Sequence, residues 1–130
     1  MGWVGGTAML IKKQVVQECG VLDGAIFMYA EDIEYCLRAQ KAGWKVGIVT
    51  NARIVHVQSA SSSKTHALVG EAKHLVYIWN KHVPRWQLPF VKSIIFAGAL
   101  LRIILFSLQN KTEKVSAYKK IAKNVYTWKF

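Results

Sequence analysis

Two adjacent carboxylates, Glu31 and Asp32, stand between an apolar-aromatic run, Phe27-Met28-Tyr29-Ala30, and a stretch in which Ile33, Cys36 and Leu37 recur at helical spacing. That pattern puts both acids in the first turn of a helix, where backbone N–H groups lack intrahelical partners and favour negative charge. Two readings are open at this point. The acids start the helix, each worth ~0.3–1 kcal/mol there, or they form a catalytic pair. A histidine, His56, follows Asp32 by 24 positions at the end of an apolar run. The two cysteines, Cys19 and Cys36, have neither metal-ligand spacing nor a disulfide framework and read as buried free thiols.

The elements that must position these groups follow from pattern. Gly5-Gly6 marks a turn, and Thr7-Ala8-Met9-Leu10-Ile11 reads as a short buried strand. Residues 12–18 form a brief helix that Gly20 stops, and Leu22-Asp23-Gly24 is a turn leading to the acids. The helix from Glu31 runs to Ala42, with Gly43 as its left-handed cap. Residues 45–49 and 52–57 read as two strands around a Thr50-Asn51 bend. Strand, helix, strand is an α/β order, with the acids at a strand-to-helix edge where ligands often bind.

The remainder is different in kind. Residues 1–60 carry six lysines and arginines against five acids, and residues 61–130 carry twelve against Glu71 and Glu113 alone. Such a bias points to an anionic surface as partner. Residues 58–63 are Ser-rich and read as a linker or a mobile loop. A long helix over 64–82 ends before Pro84. Residues 90–108 are the most hydrophobic segment, but Arg102 at their centre costs ~2.5–3.5 kcal/mol on an insertion scale. That cost nearly cancels the ten Leu, Ile and Phe of residues 94–108 at ~0.3–0.6 kcal/mol each, so a helix in the membrane interface or packed on the domain is expected, not a span. Residues 111–130 form a basic amphipathic helix suited to an anionic bilayer or a partner groove, with packing on the preceding helix as the alternative. No recognition motif accompanies the charge, which argues against nucleic acid.

Taken together, Gly5-Gly6-Thr7-Ala8-Met9-Leu10-Ile11-Lys12-Lys13, the stretch from Phe27 to Arg38, and Ala52-Arg53-Ile54-Val55-His56 closely resemble the C-terminal half of the catalytic domain of family 2 glycosyltransferases. The likeness is greatest to the rhamnosyltransferase-type branch that builds bacterial cell-surface polysaccharides. It implies an α/β, Rossmann-like GT-A domain, its acceptor side in residues 1–60. A helical, basic, membrane-associating extension follows in 61–130, two or three helices of which one is hydrophobic and membrane-interfacial. By the same resemblance Asp32 is the general base of an inverting transfer from a nucleotide-sugar donor to a glycan or lipid-linked acceptor, and Glu31 orients hydroxyls. The Gly5-Gly6 turn, with Thr7 after it, resembles the segment lining the donor sugar.

In the resembled family a histidine placed like His56 joins the divalent metal that holds the diphosphate. Neutral imidazole suits Mn²⁺ better than Mg²⁺. The Asp-x-Asp metal motif and the nucleotide-binding half are missing from the 130 residues, so a fragment inactive alone is expected. No Gln-x-x-Arg-Trp motif follows the acids, which favours transfer of a single sugar over processive polymerisation. The location implied is the cytoplasmic face of the bacterial inner membrane, peripherally bound. The competing reading is a non-catalytic basic module that binds membrane or a protein partner.

Overall fold

A computed structural model describes residues 2–56 and 64–130. The chain divides into two compact units, Met1–Gln58 and Ser59–Phe130. Among the described residues the first holds one 3-10 turn, Gly6–Ala8, and two helices, α1 (Lys13–Cys19) and α2 (Glu31–Lys41). The second holds α3 (Lys64–His82), a 3-10 turn Arg85–Gln87, α4 (Leu88–Leu108) and α5 (Thr112–Asn124).

In the first unit the helix stops are those of glycine chemistry. Gly20 closes α1 at φ +79°, its N–H donating to the Val16 carbonyl at 2.9 Å. After α2, Gly43 adopts φ +89° and donates to Gln40, while the Trp44 N–H returns to the Ala39 carbonyl at 2.9 Å. This pair of back-bonds satisfies carbonyls that the helix end leaves open. Val15, Tyr35 and Ala39 form the small core, with Ile11, Cys19 and Trp44 packed around it. Cys36 is buried and Cys19 half-buried, both as free thiols.

A buried ion pair ties α2 to the end of α1. Glu34 has no exposure, and Arg38 Nε donates to its two carboxylate oxygens at 3.0 and 3.1 Å. The same guanidinium donates to the carbonyl of Cys19 and, at 2.8 Å, to that of Val21. The Tyr35 hydroxyl adds a bond to the Gly20 carbonyl at 3.0 Å. One side of α2 therefore accommodates the carbonyls that α1 leaves open.

The expected strands are a point of correction. Among the described residues no strand forms: residues 9–12 and 45–56 lie outside any regular element, and Val57 falls outside the described residues. A strand exists only through a paired ladder, and no neighbouring segment pairs with these. Leu10 and Val55 are left 98% and 96% exposed, so the expected burial of 7–11 is not met. The Ser-rich 58–63 also lies outside the described residues.

The second unit is a three-helix bundle. α5 runs antiparallel along α4, with Phe106 stacked on Tyr118 at 5.7 Å, Phe96 near Tyr126, and Lys92 Nζ donating to the Trp128 carbonyl at 2.9 Å. α3 runs parallel to α5, from Thr65 beside Glu113 to Tyr77 against Phe130. Val76, Ile78, Ala99, Ala117, Ile121 and Val125 fill the interior. The apolar face of α5 is thus spent on packing rather than left for a bilayer. Asn110 takes φ +53° after α4 and, with Lys111, returns two bonds to Ser107 and Phe106. The helical stretch Arg85–Leu108 is long and apolar enough to cross a membrane by length and composition.

Removing one partner of the buried pair strands a charge, which costs about 3–5 kcal/mol. Arg38→Ala is expected to lower the urea midpoint of the first unit steeply, and combining it with Glu34→Leu to recover most of the loss; equal loss in the double variant would contradict the pairing. Burial first, then the Cys19 thiol, raise the Tyr35 phenol above its ordinary 10.0, against a lowering pull from Arg38. The stability tied to it is therefore complete below pH 10.0 and is lost as pH rises through the folded value. Tyr35→Phe should flatten that alkaline loss in a pH series of thermal melts.

Candidate active site

The N-terminus of α2 is built against backbone preference. Tyr29 and Ala30, directly before the acids, both adopt left-handed geometry, φ +68° and +78°. Neither residue type favours that region, and each such residue costs on the order of 1–3 kcal/mol unless its surroundings impose it. Ala30 is buried and Ile26 behind it is 3% exposed, so packing holds the kink. The helix cap residue is Ala30, which has no side chain to offer the free amides.

Asp32 takes over that role. Its Oδ1 accepts from the Ile33 N–H at 2.8 Å, and its Oδ2 accepts from the Gly6 N–H at 2.8 Å. The carboxylate is thereby clamped between the first turn of α2 and the 3-10 turn that begins at Gly6. A side chain on Gly6 would meet the Asp32 Cβ at 3.4 Å and Oδ2 at 3.6 Å, so its absence keeps the space beside the carboxylate open. A carboxylate has about four lone-pair sites. With two taken by backbone amides, others remain for a hydroxyl.

Glu31 is half-buried, and its Oε2 is buried with no hydrogen-bond partner. Leaving a buried polar group unsatisfied costs ~1–3 kcal/mol, more for a charged one. The unpartnered oxygen therefore stands in the residue next to the clamped Asp32 carboxylate.

Of the residues singled out from sequence, Gly6 and Asp32 are brought together. Gly5 borders open space and Thr7 is exposed within the 3-10 turn. His56 is exposed in the extended segment, and among the described residues no group of three or more His, Cys, Asp or Glu could hold a metal ion. Two features carried no advance signal: the left-handed pair Tyr29–Ala30, whose residue types do not announce it, and the reach of Arg38 back to α1. The i, i+4 spacing of Glu34 and Arg38 could have suggested their pairing, but not its burial.

Comparison with known proteins bears on what such a site serves. The family model described as glycosyltransferase-like family 2 matches residues 3–70. The chain is 28% identical over 92 residues, 68% of its length, to the N-acetylglucosaminyl-diphospho-decaprenol L-rhamnosyltransferase of Mycobacterium tuberculosis, of which that covers 30%. It is 26% identical over 113 residues, 78% of its length, to a low-salt glycan biosynthesis hexosyltransferase of Haloferax volcanii, of which that covers 35%. The chain therefore spans about a third of the length of these curated relatives. No solved structure matches it. Enzymes of the matched family generally use a divalent metal, and their catalytic domain is of the GT-A type. With the family match covering more than half of the chain, this protein belongs to the glycosyltransferase-like family 2.

Proposed function

We propose that this chain supplies the acceptor side and the general base of an inverting glycosyltransferase that moves one sugar from a nucleotide-sugar to a cell-surface glycan or lipid-linked acceptor. The observation that carries the reading is the clamped Asp32 carboxylate, held by the Gly6 and Ile33 amides beside the unpartnered Glu31 oxygen. The mycobacterial relative, named for rhamnosyl transfer to a lipid diphosphate, supports the acceptor class.

In this reading the acceptor hydroxyl donates to Asp32, which takes its proton as the oxygen attacks the anomeric carbon. The bond to the nucleotide diphosphate breaks on the opposite face, giving inversion. Two fixed amides hold the carboxylate in orientation, so little is lost in ordering it when substrate arrives. Glu31 Oε2 accepts a second hydroxyl, either of the acceptor or of the donor sugar, and that contact offsets its desolvation. Gly6 keeps the approach clear, while Gly5 and Thr7 border the donor sugar. A divalent metal belongs to the family's chemistry, and His56 alone does not provide a place for it here. The α/β character belongs to the reading as well: residues 7–11, 45–49 and 52–57 become strands when a sheet pairs with them. The near-complete exposure of Leu10 and Val55 supports that. Location at the cytoplasmic face of the inner membrane, peripherally bound, fits the lipid-linked acceptor of the relative and the apolar α4.

In the whole enzyme, Asp32→Asn is expected to lower kcat by about 10²–10⁴ while nucleotide-sugar binding changes little; normal turnover would remove Asp32 from the role of base. Glu31→Gln should raise the KM of whichever substrate, acceptor or donor, places its hydroxyl on Oε2, with no loss in thermal midpoint because it removes an unpartnered buried carboxylate oxygen. A fall in midpoint with unchanged KM would mean Glu31 is structural.

A further inference from the structure

α4 divides lengthwise into two faces. Trp86 before it and Phe90, Ile94, Leu101, Ile104 and Leu108 along it are all exposed, by 57–79%, and fall three, four or seven residues apart on one stripe. The two charges within the helix lie off that stripe. Lys92 turns inward to the Tyr126 and Trp128 carbonyls, and Arg102 bonds the Gly98 carbonyl and lies 5.7 Å from the Tyr118 ring. The outward face is therefore uncharged from Trp86 to Leu108, a length of ~31 Å over α4.

Beside the last turn of α4, from Phe106 and Ser107 along α5 to Lys123, lies a cavity of about 570 Å³. Lys111, Lys119, Lys120 and Lys123 line it, together with Ser107 and Ser116 among others, and no acidic residue does. Its floor includes Phe106 and Val115. Lys111 is oriented by Gln109 Oε1 at 2.7 Å and by the Phe106 ring. On α5 the lining residues 112, 115, 116, 119, 120 and 123 recur at i, i+3, i+4 and onward, a face turned away from the buried Ala117, Ile121 and Val125. Four cations and hydroxyl donors around one concavity suit a phosphate group, which brings negative charge and acceptor oxygens.

The apolar stripe ends at Leu108 and the cationic cavity starts at Phe106 and Ser107 in the same turn of α4, which suits an amphiphile: acyl chains near a phosphate. We propose that the second unit docks on an anionic bilayer with the outer stripe of α4 seated among the acyl chains, and that the lysine cavity holds the phosphate of a lipid headgroup. The proposal deepens the membrane reading above and rests on it. Spanning is disfavoured by the bundle itself. α5 and the residues after it pack along α4 from Phe106 back to Lys92, and the α5 lysines would have to enter hydrocarbon with it. A second copy is a poor occupant, because residues 61–130 carry twelve lysines and arginines against two glutamates and would repel their like. Nucleic acid would satisfy the lysines and leave the stripe exposed to water.

The test is co-sedimentation of the full chain with vesicles of phosphatidylcholine alone or with added phosphatidylglycerol. Two variants are compared, Lys119→Gln with Lys120→Gln and Lys123→Gln, and Ile94→Gln with Leu101→Gln, each checked for unchanged helical circular dichroism. The wild-type chain should sediment with the anionic vesicles only, and less as salt rises. The lysine variant should lose partitioning on the order of a hundredfold, from three basic residues near an anionic surface, and the stripe variant should also bind more weakly. Wild-type partitioning by the lysine variant, with loss in the stripe variant, would overturn the headgroup site and leave the membrane reading standing. Failure to sediment with either vesicle would overturn both. Tight binding of inorganic pyrophosphate by a chain that does not sediment would reassign the cavity to a soluble phosphate and overturn the lipid assignment. Dimerisation abolished by the stripe variant, again without vesicle binding, would give the stripe to a second copy.

Discussion

Glu34 carries a carboxylate with no exposure to water, and burying such a group is tolerable only if it is paired and hydrogen-bonded. Arg38 meets that demand, and because its remaining N–H groups reach the carbonyls of Cys19 and Val21, satisfying the charge also fixes where α1 ends relative to α2. With so few apolar residues in the core of the first unit, this polar knot supplies the definition that packing alone would not. The start of α2, one turn away, inherits its position from it.

That position matters because the chain reaches α2 through two left-handed residues in succession. A relaxed approach would put a capping side chain at Ala30; instead the cap is vacant and Asp32 bonds the amide itself, holding Gly6 with its other oxygen. The conformational cost at Tyr29 and Ala30 and the desolvation of Glu31 Oε2 fall within three consecutive residues. Strain and unsatisfied polarity concentrated in so short a segment are more common at ligand sites than in ordinary turns. Such a pre-oriented carboxylate is what the proposed proton removal from an acceptor hydroxyl would require.

What could be read in advance divides along the range of the interactions involved. The helices were legible because their signals are local: apolar spacing of three and four, Gly20 and Gly43 at the stops, Pro84 after His82. Glu31 and Asp32 could be placed in a first turn for the same reason. The runs 7–11 and 45–57 look like strands by composition, yet a strand needs a partner ladder, and local pattern does not say where that partner is. Nor could spacing show that Ala30 sits in left-handed geometry, that Gly6 and Asp32, 26 residues apart, share a hydrogen bond, or that Glu31 loses its water. For α4, spacing could not show that Lys92 reaches the Tyr126 and Trp128 carbonyls, or that Arg102, though exposed, lies against the Tyr118 ring and off the apolar stripe.

The account stands on the Asp32 carboxylate being one rigid group shared by two backbone segments. The direct measurement is NMR of the Gly6 and Ile33 amide protons in the wild-type chain and in Asp32→Ala. Both amide resonances should move upfield in the variant and both protons should exchange faster with water, because the two hydrogen bonds to the carboxylate are lost together. A Gly6 amide whose shift and exchange rate are indifferent to Asp32→Ala would show that the two segments are not joined, and the proposed base would have no structural support.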